Sequence, residues 1–178
     1  RYLPLGVGTD ARDWVRTSVL GGRAADTRFT LRGDLARFPF SDERDGLFEV
    51  TTRAEGVDLS YADDWPEIRN VSAELQFRGP ALRVTSGAGT ILGVPLSGVT
   101  ASIPDLDADD PVLDVAGGAE GDTAAFLHFI AESPVDRHIG GFTRGLTAAG
   151  AGRLALKLRM PLERTRDTAV EGRFRFLS

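Results

Sequence analysis

Cysteine is absent from this 178-residue chain, so it offers neither a disulfide framework nor a thiolate nucleophile, and redox chemistry does not reveal its compartment. Lysine is almost absent too: Lys157 stands alone beside twenty arginines. Acidic residues outnumber basic ones by 26 to 21, and a net charge of −5 excludes the concentrated basic surface that a nucleic-acid backbone demands. The two histidines, His128 and His138, have no cysteine and no carboxylate at ligand spacing beside them, so no metal site and no cofactor is expected. His128 sits among Phe126, Leu127, Phe129 and Ile130, the setting of a packed or surface histidine.

An uninterrupted apolar run is also lacking. Val84 to Pro104 carries no charge, yet Gly87, Gly89, Gly93, Gly98, Pro95 and six hydroxyl residues break it into strands and turns instead of a membrane-spanning helix. The chain opens on Arg1 with no signal-peptide pattern. It is read as a single β-rich segment, residues 1–178, of something larger, with any address label or membrane attachment outside it.

Catalytic patterns fail one by one. Asp105, Asp107, Asp109 and Asp110 have the alternate carboxylates of a calcium loop, but Asp110 stands where the loop needs glycine and Ala116 where it needs the closing glutamate, leaving an acidic turn. Ser133 has no nucleophile elbow and precedes Pro134. No Gly-Lys-Ser or Gly-Lys-Thr follows the glycine pairs, so no phosphate loop is expected. Trp14 and Trp65 read as packing anchors. The chain is expected not to be an enzyme.

What the sequence does have is alternation. In Arg153–Leu162, Leu154, Leu156, Leu158, Met160 and Leu162 fall on one side of an extended backbone and Arg153, Ala155, Lys157 and Arg159 on the other. Burying side chains of that size is worth roughly 1.5–3 kcal/mol each, so the apolar side needs a cover. Similar runs occur at Phe29–Phe40, Leu47–Ala54, Val71–Phe77, Leu82–Val84, Thr90–Leu96, Val99–Ile103, Val112–Gly117 and Ala169–Leu177. Turn signals such as Gly79-Pro80 separate them, and few intervals are long enough for a parallel crossover. Helices are expected from Thr9 or Asp10 to about Leu20, stopped by Gly21-Gly22; from Ala124 to Ala131, ended by Ser133-Pro134; and from about Asp136 to Ala149, weakened by Gly140, Gly141 and Gly145. The pattern predicts a mainly β fold, an antiparallel meander forming a curved, folded-over sheet with two or three short helices.

The order of these pieces resembles a known family. A Trp-containing helix ending in Gly-Gly, then Leu31-x-Gly33-x-Leu35 closing with Phe38-Pro39-Phe40, then Gly46-x-Phe48, then Tyr61 and Trp65-Pro66 leading into Val71–Phe77, is similar to the YhdP branch of the AsmA-like proteins. Phe126-Leu127-x-Phe129-Ile130-x-x-Ser133-Pro134-Val135 and the strand ending in Met160-Pro161-Leu162 continue the likeness over nearly the whole chain. The resemblance implies a periplasmic part of an inner-membrane-anchored envelope protein of a Gram-negative bacterium, carrying phospholipid towards the outer membrane along a groove. Its implied partners are phospholipid acyl chains and flanking segments of the same chain, and it brings no catalytic residues.

Alternation itself nominates the lining: Phe29, Leu31, Leu35, Phe48, Val50, Val71, Leu75, Phe77, Leu82, Val84, Leu154, Leu156, Leu158, Phe174 and Phe176. The same alternation suits a self-sealed β-sandwich serving as a structural spacer or binding module. The two readings divide on whether the apolar faces have covering partners.

Overall fold

The computed structural model of the chain describes residues 16–38, 40, 42 and 44–177. Eight strands, β1 (Val19–Gly33), β2 (Gly46–Leu59), β3 (Ile68–Arg78), β4 (Ala81–Ile91), β5 (Val94–Ile103), β6 (Val112–Asp122), β7 (Ala151–Pro161) and β8 (Ala169–Phe176), form one antiparallel sheet whose spatial order is the sequence order. Two short helices, α1 (Thr123–Ala131) and α2 (Val135–His138), lie in the excursion between β6 and β7. The antiparallel meander read from the sequence is present. The fold-over is not: the sheet is open and uncurled, β1 and β8 are its two edges, and strands pack substantially only against their sequence neighbours. Among the described residues no second sheet is formed, since all eight strands share one layer.

Local chemistry explains the long strands. Leu92 and Gly93 both take positive φ (47° and 80°) between the paired residues Ile91 and Val94, the two-residue turn whose twist matches an antiparallel hairpin. Bulges at Asp26, Gly56, Asn70 and Gly98, with φ of 51°, 60°, 53° and 57°, each absorb a residue and shift the register.

Those bulges correct several sequence expectations. Thr90–Leu96 and Val99–Ile103 are not separate strands: residues 90 and 91 end β4, and 94–103 form one strand bulged at Gly98. The first strand starts at Val19, with Gly21 and Gly22 inside it, and not near Phe29. Residues 16–18 are helical, so the first helix stops short of Leu20, and its expected cap at Thr9 or Asp10 lies outside the described residues. The third helix ends at His138, because Gly140 and Gly141 (φ 65° and 70°) turn the chain out of the helical path.

Leu35 is also corrected. It sits in a 3-10 turn, Leu35–Arg37, capped by Asp34, whose Oδ1 accepts from the Ala36 N–H at 3.1 Å. The cap carries it off the strand, and it is 66% exposed instead of lining the sheet.

Candidate functional site

Cross-strand partners in a sheet point to the same side, so the register alone sorts the faces. Phe29, Val50, Phe77, Leu82 and Ile103 are partners in succession across β1 to β5. Leu31 and Phe48 pair one step away, and Leu96, Ala119, Leu154 and Phe174 follow one another across β5 to β8. All the nominated lining residues except Leu35 therefore share one face.

Between those rows runs a third. Thr52, Leu75, Val84, Ala101, Val115, Leu158 and Val170 are each the partner of the next, from β2 to β8. With neighbouring strands about 4.8 Å apart, this row is roughly 29 Å long. Thr52 through Leu158 are half-buried and Val170 is exposed.

The flanking rows are better covered. On one side Phe77, Leu82 and Ile103 (2% exposed) pack under Leu106 (4%), with Val50, Val84, Leu113 and Leu162 against them. The Leu106 N–H donates to the Pro80 carbonyl at 2.8 Å, fixing that lip over the β3–β4 turn. On the other side Phe126 of α1 packs into Val94, Ala119, Leu96 and Leu154, and its ring meets Phe174 edge-on at 5.2 Å. Two covered margins with a half-open apolar row between them make a trough. Cover fails most at the sheet edges, where Phe29 is 62% and Phe176 68% exposed.

The opposite face is wet. Cross-strand pairs Arg23–Glu55, Arg53–Asp26, Arg153–Glu120 and Arg159–Asp114 (2.6, 2.8, 2.6 and 3.4 Å) decorate it, and Gln76 donates to Glu49 at 2.7 Å. Exposed pairs of this kind contribute about 0–1 kcal/mol each, so they keep the face solvated more than they hold the sheet. A shallow depression of about 400 Å³ lies on this side, lined by Thr100, Ser102, Asp114, Lys157, Arg159 and Glu171 among others.

His138 Nδ1 donates to the Pro134 carbonyl at 2.8 Å, and His128 is exposed on α1. In the acidic turn the Asp107 N–H donates to Asp105 Oδ1 at 2.9 Å, while Arg164 holds Asp110. Partial withdrawal from water, with the Asp105 charge beside it, raises the Asp107 pKa. Burial pushes the Tyr61 hydroxyl up, so it stays neutral. Among the described residues no cluster of histidine and carboxylates is set to hold a metal, and no helix is long and apolar enough to cross a membrane.

Sequence reasoning missed Ala101, Ile103, Leu113, Val115, Leu106 and Phe126 as parts of this surface. The first four had a signal in their alternation. Leu106 had none, being a lone leucine in an acidic turn.

The family model described as YhdP protein matches residues 1–177. A curated relative, the intermembrane phospholipid transporter YhdP of Escherichia coli (strain K12), is 27% identical over 163 residues, covering 91% of this chain and 13% of the relative. The chain thus spans only a small part of that relative's length. No solved structure matches it. A match of the family model from the first residue almost to the last, over a chain whose strands carry one apolar face, identifies the chain as a member of the YhdP family.

Proposed function

We propose that the trough is a stretch of phospholipid-conducting surface, on which acyl chains lie against the half-open row while headgroups stay in water. The observation that carries this reading is the row Thr52–Leu75–Val84–Ala101–Val115–Leu158–Val170, which runs unbroken by charge through to the β8 edge. An apolar row left half-open over this length, and fully open at its β8 end, is uncommon on a protein that meets only water. Each methylene withdrawn from water is worth about 0.8 kcal/mol, so a chain of some 14–16 methylenes faces on the order of 10 kcal/mol in open water. An apolar row removes much of that barrier. One leaflet of hydrocarbon is about 15 Å thick, half the length of the row.

The name of the curated relative supports the same cargo. On this reading the segment stands in the periplasm, within a longer inner-membrane-anchored protein whose neighbouring segments continue the apolar face on either side. It performs no chemistry on the lipid: it lowers a transfer barrier.

The test is photo-crosslinking in cells, with the photoreactive residue placed in the full-length protein at Leu156 or Leu75 and, as controls, at Lys157 or Gln76 on the wet face. Phospholipid adducts at the first pair and none at the second are expected. Adducts to protein alone at all four positions would leave a self-covered module acting as a spacer.

A further inference from the structure

The excursion from Thr123 to Gly150 reaches much further than its ends require. Its base is closed where the Thr123 N–H and Oγ1 both donate to the Gly150 carbonyl, at 2.8 and 2.9 Å. From there it crosses the ends of β5 and β4 to the connection between β2 and β3. Phe129 meets Trp65 with ring centroids 6.0 Å apart, Trp65 meets Tyr61 at 6.0 Å, and Arg137 pairs with Asp64 at 3.1 Å.

Internally the excursion is stapled. Asp136 is buried and its Oδ2 accepts two bonds from Arg144, at 3.0 and 2.5 Å, while the Gly141 N–H donates to the Asp136 carbonyl at 2.8 Å. Between base and far end Phe126 and Ala125 pack onto the sheet, in one cluster with Val94 and Ala119 against which Leu96 and Leu154 lie half-buried. At the base Gly150, at φ 91°, turns the chain back into β7, while Gly121 and Gly152 are paired within the sheet and leave room for Val94 and Phe174. A body stapled to itself, turned through Gly150 at its base and fastened at the far end by one half-buried aromatic contact and one exposed ion pair, has little besides Phe126 to keep it on the sheet.

We propose that residues 123–150 form a strap, clasped by Trp65 and Asp64, that sets how much of the trough is open to an acyl chain. This rests on the reading of the trough as a lipid surface. Clasped, the strap covers Leu96, Ala119 and Leu154 and confines the chain to the central row; released, it widens the trough by that flanking row. The clasp is therefore a width- and access-determining contact for the lipid, and Trp65 and Asp64 are positioning residues that act through Phe129 and Arg137.

The experiment places the photoreactive residue in the full-length protein in cells at Leu158, in the open row, or at Leu96, under the strap. The clasp is loosened by Trp65→Ala, or bridged by a short bis-maleimide between Asp64→Cys and Arg137→Cys, this segment offering no other thiol. Phospholipid adducts at Leu158 are expected in every form. Adducts at Leu96 should rise several-fold in Trp65→Ala and fall to background on bridging. The same yield at Leu96 in all forms overturns the clasp, as does an equal fall at Leu158 on bridging. Absence of adducts at Leu158 in the unaltered protein overturns the trough itself, and the clasp with it. Should Trp65→Ala fail to fold, the bridged and unbridged forms of the double-cysteine protein still give the comparison.

Discussion

Leu106 is the fully buried cap of one margin of the trough, with Leu162 half-buried beside the same cluster. It descends from an acidic turn onto Phe77, Leu82 and Ile103, and it is the only large apolar residue between Pro104 and Pro111. Leu106→Ala should cost about 2–5 kcal/mol, the range for truncating a buried leucine, read as a fall in the urea midpoint of the purified protein. Its neighbour Asp107 is predicted to act in the opposite sense. A carboxyl whose pKa is raised by folding binds its proton more tightly folded than unfolded, so its contribution is fully present below the ordinary aspartate value and is lost as pH rises through the raised one. At pH 7 Asp107 therefore opposes folding slightly. Asp107→Asn should raise the Tm at pH 7 and change it little at pH 3, and an unchanged difference between the two pH values would contradict this. Residue identities were legible where alternation was strict, as in Leu154, Leu156 and Leu158. Leu35 misled because Asp34 caps a turn immediately before it, and a cap outranks a period of two when the two compete.

At the scale of elements, the bulges decide what the sequence could show. Leu96 and Val99 are three residues apart yet serve the same face, because Gly98 inserts an extra residue between them. Read without that bulge, the phase change looks like the end of one strand and the start of another. Gly98→Ala has open space for its methyl group, so its cost is conformational, about 1–2 kcal/mol for an L-residue held in left-handed backbone. Hydrogen exchange should show the loss concentrated in β5 and β6 rather than spread over the sheet. The front half of β1 was invisible for a different reason: Gly21, Gly22, Ala24 and Ala25 carry almost no hydropathy contrast, and pairing with β2 is what extends them. In the excursion, Thr123–Ala131 was legible from its composition and its proline stop. Its reach to Trp65 was not, because two aromatic residues 64 positions apart announce no contact in advance.

Across the whole molecule, the sidedness of the sheet is the property most open to challenge. A single charge in the middle of the open row, Leu158→Glu, should leave the fold intact while abolishing lipid adducts at Leu156, whereas Lys157→Glu on the other face should change neither. Circular dichroism and the crosslinking yield together check this pair. The meander as a class was legible, since turn signals divide the chain at intervals too short for crossovers. Its openness was not, because closing a sheet depends on whether the first and last strands meet, and alternation within each strand says nothing about that.

Strands that lie side by side in the order of synthesis give this sheet a simple way to assemble. Each strand finds its partner in the one just made, across a short connection everywhere except the excursion before β7, so loop-closure entropy stays small and no strand waits for a distant mate. A chain delivered end-first through a narrow pore could therefore add one hairpin at a time to a growing edge. Removal of a hairpin such as β3–β4 would shorten the product by two strand widths, about 10 Å, while leaving the remaining turns and their pairings usable. Length, in such a design, is a quantity that evolution can adjust in steps.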